Sequence, residues 1–170
     1  MFVLGIDPGL TRCGFGLVEG NFEGPESFRV VRAGTLETSP ELSVELRLAQ
    51  LLVDLRSLYA DCSPEAVVVE RVFYQRNAKT AIPVAQASGV AIALAGESGT
   101  PVRQFTAQQV KLAVTGYGAA NKLQVQEMVA RLCGLDQIPA TADAADAIGL
   151  AMTYFMVERT ERRIEQWAQA

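Results

Sequence analysis

Three strand-like segments fill the first 37 residues before any helical pattern begins, and this limits the fold more than any other feature. Phe2 to Asp7 is a short apolar run that closes on an acid. Cys13 to Glu19 alternates small and apolar residues, and Phe28 to Glu37 completes the set. Between the first two, Asp7-Pro8-Gly9-Leu10-Thr11 carries turn chemistry. Proline presets the first central position, and Gly9 is expected to take a positive φ at the second. Asn21 to Ser27 is a polar connection containing Gly and Pro. The pattern predicts an antiparallel meander.

After the meander the periodicity changes. Ser39-Pro40-Glu41 has the chemistry of a helix start, and Leu48, Leu51, Leu52, Leu55 and Leu58 follow at helical spacing. Glu65 to Glu70 is a buried strand, again closing on an acid. Thr80 to Glu97 is a helix rich in small residues, and Pro101 to Phe105 is a short strand. Thr106 and Gln109 form a capping box that opens a helix carrying Lys111. A Gly-rich loop, Thr115 to Ala120, precedes a helix from Asn121 to Leu132 that carries Lys122. A last long helix runs from Ala142, and its charged tail offers a Glu158–Arg162 pair at i, i+4. The order β-β-β-α-β-α-β-α-α-α predicts a mixed α/β sheet with helices on its faces. A chain of 170 residues, 49% hydrophobic, suits one domain with a substantial core.

The chain contains no histidine. That excludes a Ser-His-Asp triad, a Cys-His dyad, a His-ligated zinc and an imidazole base. Cys13, Cys62 and Cys133 are odd in number and lack C-x-x-C spacing, so a reducing compartment is expected. The opening segment meets Asp7 with no basic stretch before it, unlike a signal peptide. The longest uncharged apolar stretch, Thr80 to Gly96, is shorter than a membrane span requires. These features predict a soluble cytoplasmic protein. Charge is uneven: Cys13 to Glu65 holds four basic residues and nine acids, whereas Arg71 to Leu135 holds seven basic residues and two acids. Such a division suits a protein with one positive face.

The acids carry the chemistry. Asp7 and Glu70 end apolar strands, a position where solvated acids are also common. Asp143 and Asp146 share one helical face at i, i+3. Asp143 suits the helix dipole of a first turn. Asp146 lies deeper, in the apolar run AADAIGLA, where a lone charge is costly. A divalent cation would offset that cost. Oxygen-only ligation points to Mg²⁺ or Mn²⁺. Two such ions can activate a water and stabilise a leaving oxygen, which is metal-assisted phosphodiester hydrolysis without histidine.

GIDPGLTRCG (Gly5 to Gly14), VVVERVF (Val67 to Phe73), QVKLAVTGYGAANKLQV (Gln109 to Val125) and ADAADAIGLA (Ala142 to Ala151) together resemble the RuvC family of bacterial Holliday-junction resolvases. The likeness runs in order from Phe2 to about Tyr154. It implies a ribonuclease-H-like fold: a five-stranded mixed sheet, its first three strands antiparallel, with the first and fourth strands adjacent. Residues 1–157 would form the nuclease domain and 158–170 a charged helical tail.

By motif position, the resemblance makes Asp7, Glu70, Asp143 and Asp146 the catalytic, metal-holding acids, with Asp7 bridging two Mg²⁺ ions that Mn²⁺ can replace. Phe73, in a polar loop with Arg71, Tyr74, Gln75 and Arg76, would stack on a base of the opened junction. Lys111 and Lys122 would flank the scissile phosphate, and Arg76, Lys79 and Arg12 would contact other phosphates. The family also implies a C2 homodimer on a four-way DNA junction, with the helix Ala81 to Gly96 either at the interface or packed on the sheet. It further implies nicks with 5′-phosphate and 3′-hydroxyl ends, cooperation with RuvA and RuvB, and a nucleoid-associated location. Three other readings remain. Actin-like ATPases and sugar kinases share the opening motif but need two such domains. Nucleases of the YqgF type act on RNA. A junction-binding protein could carry its acids for structure alone.

Overall fold

A computed structural model of the chain describes residues 1–25, 27–72 and 78–169, the side chains of 78–80 excepted. The elements are β1 (Phe2–Asp7), β2 (Arg12–Gly20), β3 (Phe28–Glu37), α1 (Val44–Cys62), β4 (Ala66–Glu70), α2 (Ala78–Glu97), β5 (Val102–Phe105), α3 (Ala107–Thr115), α4 (Lys122–Leu132) and α5 (Ala142–Ala168). The five strands form one sheet in the order β3-β2-β1-β4-β5. β1, β2 and β3 pair antiparallel, while β4 pairs parallel with β1 and β5 parallel with β4. This is the predicted α/β architecture. Among the described residues, no helix is long and apolar enough to cross a membrane.

Strand alternation divides the core in two. Leu4, Ile6, Val67 and Val69 face one side, where they pack with Leu51, Leu55 and Leu58 of α1 and with Ala87, Ala91 and Ala95 of α2. Val3, Ala66 and Val68 face the other, against Val110 of α3, Val129 of α4 and Ile148, Met152 and Phe155 of α5. β1 and β4 are therefore apolar on both faces, as a central strand between two helical layers must be. α5 is enclosed by sheet on one side and by α3 and α4 on the other, so every residue from Ala147 to Phe155 is buried.

α5 approaches the sheet at backbone distance. A Cβ added to Gly5 would lie 1.9 Å from the carbonyl oxygen of Ala147, and one added to Gly14 would lie 2.1 Å from that of Asp143. At Gly16 it would come within 2.8 Å of the Ile148 nitrogen. Glycine is required at Gly5 and Gly14 for this close approach rather than for a special dihedral angle.

Three expectations are corrected. α1 begins at Val44, with Ser43 as N-cap, and not at Ser39-Pro40-Glu41. There the Ser39 carbonyl accepts from Leu42 N at 3.2 Å and its hydroxyl accepts from Glu41 N, so Pro40 sits in a separate turn. The φ that proline imposes suits a turn as well as a first helical residue. Gly9 is not among the glycines with positive φ. A Cβ there would meet the Arg12 carbonyl oxygen at 2.1 Å, so it is crowding by the turn's own backbone that demands glycine. The Glu158–Arg162 pair gives way to tertiary partners. Glu158 binds Arg103 at 3.1 Å, and Arg162 lies 3.9 Å from the Phe22 ring centroid.

Because both sides of the Gly5–Ala147 contact are backbone, no rotamer change can relieve a methyl group at position 5. Gly5→Ala should lower stability by at least roughly 1–3 kcal/mol, measured by urea denaturation. An unchanged midpoint would mean that α5 is not seated at Gly5.

Candidate active site

The site forms where β1 and β4 end together. Ile6 pairs with Val69, so the next residues, Asp7 and Glu70, leave the parallel ladder side by side. By alternation both point to the α5 face, as Val3 and Val68 do. Burial, the charges of Glu70 and Asp146, a hydrogen bond to Glu70 and the charge of Asp143 push the Asp7 carboxyl up to about 8. Asp7 is therefore protonated at neutral pH and donates to Glu70. Burial also raises Glu70, and the field of Asp146 adds to it, while the bond from Asp7 and the charge of Lys122 oppose it.

The other two acids arrive on α5. Thr141 caps the helix, accepting from Ala144 N at 3.2 Å, and its hydroxyl meets that of Thr35 on β3 at 2.9 Å. Asp7 faces Gly14 across the β1–β2 ladder, and the Asp143 backbone lies directly over Gly14. The glycine seat of α5 thus delivers Asp143 and Asp146 to the ends of β1 and β4.

Cations hold these helix acids. An Arg12 guanidinium nitrogen lies 2.9 Å from Asp143 Oδ2, and Lys122 Nζ lies 3.0 Å from Asp146 Oδ2. Burial lowers the Lys122 ammonium, but the hydrogen bond to Asp146 and the fields of Asp146, Asp143 and Asp7 outweigh it and leave it above its ordinary value. Beside the acids is a pocket of about 180 Å³. Glu70, Asp146, Lys111 and Lys122 supply its polar rim, and Val110, Val125 and Leu150 its apolar wall.

As the side chains stand, no three acids among the described residues surround a single point closely enough to hold one ion. The donor set nevertheless fits a hard divalent cation. It is all oxygen, it is rigidly anchored in the backbone, and its crowding already forces a proton onto Asp7, a cost that a cation would relieve.

The structure thus brings together Asp7, Glu70, Asp143, Asp146, Lys111, Lys122 and Arg12. Phe73, Arg76 and the side chain of Lys79 lie outside the described residues. Sequence reasoning missed the positioning residues. Arg47 of α1 donates to Thr38 Oγ1 at 3.0 Å and to Thr11 Oγ1 at 2.6 Å, and Thr38 donates to the Leu10 carbonyl, which ties down the turn after Asp7. Nothing at the sequence level marks Arg47. Gly5 and Gly14 bound the GIDPGLTRCG block, and their place at its two ends was the available signal.

Clustered carboxylates at the carboxyl ends of adjacent strands, on a β3-β2-β1-β4-β5 mixed sheet, define an α/β protein of the ribonuclease-H-like class. The family model described as crossover junction endodeoxyribonuclease RuvC matches residues 3–154, and the chain belongs to that family. A protein of Syntrophomonas wolfei subsp. wolfei, named crossover junction endodeoxyribonuclease RuvC, is 44% identical over 170 residues, covering 99% of this chain and 96% of its own. The solved Thermus thermophilus RuvC superposes with a TM-score of 0.86 at 34% identity, covering 95% of this chain and 97% of that one. The T. thermophilus RuvC solved in complex with Holliday junction substrate gives a TM-score of 0.84 at 32% identity, with coverage of 94% and 96%.

An acid whose folded pKa is raised binds its proton more tightly folded than unfolded. Its contribution is complete below the unfolded value near 3.8 and is lost as pH rises through about 8. Asp7→Asn keeps a donor toward Glu70 and removes this loss. In EDTA it should match the parent near pH 4 and exceed it increasingly up to pH 8, by on the order of a few kcal/mol, in thermal melts. A constant difference across that range would contradict the buried, protonated Asp7.

Proposed function

We propose that the chain is a structure-specific endonuclease that resolves four-way DNA junctions by paired, metal-dependent phosphodiester hydrolysis, leaving 5′-phosphate and 3′-hydroxyl ends. One observation carries this reading: acids from β1, β4 and α5 converge beside a pocket rimmed by two lysines, in a chain that matches RuvC proteins along nearly its whole length. The complex of T. thermophilus RuvC with Holliday junction substrate supports the choice of DNA over the RNA substrates of YqgF-type nucleases.

Asp7, Glu70, Asp143 and Asp146 are the residues that would hold the metal, two Mg²⁺ or Mn²⁺ ions. Bound there, the ions would activate water and stabilise the leaving oxygen of an in-line displacement. The chain supplies position and charge. Lys111 and Lys122 reach into the pocket from α3 and α4, where they hold a phosphate against the acids. Their two helices are anchored by capping boxes at Thr106 and Asn121, so the lysines stand on rigid supports. Arg12, Arg76 and Lys79 contact phosphates, and Phe73 stacks on an unpaired base. The active form is a C2 homodimer that places two sites on strands of like polarity, and it works with RuvA and RuvB in the bacterial cytoplasm. The outer side of α2, where Ile82 is 55% exposed, is available for the dimer contact.

Labelled junction, linear duplex and RNA, each incubated with Mg²⁺ and with EDTA, test the reading. Only junction with Mg²⁺ should be cut, in symmetric pairs. Asp146→Asn should bind junction and lose cleavage by at least a hundredfold, since an acid that holds metal acts mainly in the transition state. Lys111→Ala should weaken junction binding and reduce its dependence on salt by about one phosphate contact. Cleavage of RNA alone, or full activity in EDTA, would overturn the assignment.

A further inference from the structure

Arg12 opens β2, five residues after Asp7, and is 49% exposed. Unlike Lys111 and Lys122 it does not line the pocket. Its guanidinium lies 2.9 Å from Asp143 Oδ2 on one side and its Nε 4.0 Å from Glu37 Oε1 on the other. Glu37 is its cross-strand partner on β3 and is more exposed still, so the side chain has an acidic contact toward the site and another leading away from it.

A guanidinium on Asp143 and a divalent ion on Asp143 compete for one carboxylate. The guanidinium brings one positive charge and the ion two, so an arginine left beside a loaded site is repelled by it. Outside the pocket the guanidinium then has the exposed Glu37 at 4.0 Å and, when DNA is bound, backbone phosphates, whose geometry suits the arginine fork. We propose that Arg12 is an exchangeable counter-ion: it holds Asp143 until a divalent cation takes that carboxylate, and then turns outward to a DNA phosphate. Metal and DNA then favour each other's binding through one side chain, and linkage requires the effect to be reciprocal. Arg12 acts here as a positioning residue, not a catalytic one. The inference rests on the metal-dependent reading above.

The test is Mn²⁺ titration of the whole protein, followed by electron paramagnetic resonance, without DNA. Arg12→Gln should bind Mn²⁺ roughly two- to fivefold more tightly than the parent, the scale of a half-exposed ion pair. Arg12→Lys, which keeps the charge, should restore parental affinity. Linear duplex binding by fluorescence anisotropy, which needs no cleavage, supplies the second readout. Mn²⁺ should strengthen it less in Arg12→Gln than in the parent. If the parent binds no Mn²⁺, the metal-dependent reading fails and this inference with it. If the parent binds Mn²⁺ but Arg12→Gln binds equally or more weakly, or Arg12→Lys matches Arg12→Gln, the exchange is wrong and the nuclease reading stands.

Discussion

The site depends on one packing contact. α5 lies on the sheet at backbone distance, over Gly5, Gly14 and Gly16, with alanines at Ala144, Ala147 and Ala151 on its own surface. A side chain at Gly5 or Gly14 would lift the helix and carry Asp143 and Asp146 away from Asp7. The same helix is covered by α3 and α4 on its outer side, where Gly149 admits Val110 at 3.2 Å from a would-be Cβ. Seating α5 therefore also places the two lysine-bearing helices. Backbone packing and site geometry are one feature, and interiors of native density do not let them vary independently.

Against that seat works the repulsion of four acids. Three local devices offset it. Asp7 keeps a proton because burial and its neighbours make ionisation costly. Lys122 neutralises Asp146, and Arg12 neutralises Asp143. All three devices are reversible: a proton can leave, and two long side chains can rotate. The four acids offer only oxygen ligands and the chain has no histidine, so the arrangement favours hard cations over zinc or iron.

Much of the fold was legible in the residues. β1 and β3 match their sequence-read bounds, and all ten elements occur in the expected order, because alternation and helical spacing report directly on two-sided burial. The errors fell where one residue type serves two geometries. Pro40 suits a turn or a helix start, and Gly9 suits positive φ or close approach. Glu158 had a partner one turn along its helix and chose Arg103 on β5, a residue 55 positions away. At the site, Asp7 and Glu70 were visible as acids that end apolar strands, and Asp146 as a charge in an apolar helical run. The ion pair between Arg12 and Asp143 was not visible. It joins residues 131 positions apart, brought together only by the sheet order and the height of α5.

The sequence by itself determined which elements form, which acids are costly to bury, and that no imidazole can hold a metal, since these follow from periodicity and from the donor atoms present. Only the tertiary structure decided which acid keeps a proton, which cation answers which carboxylate, and that glycines at 5 and 14 set the distance between them. Those properties depend on separation in space, through Coulomb interaction and close packing, and separation along the chain says almost nothing about either.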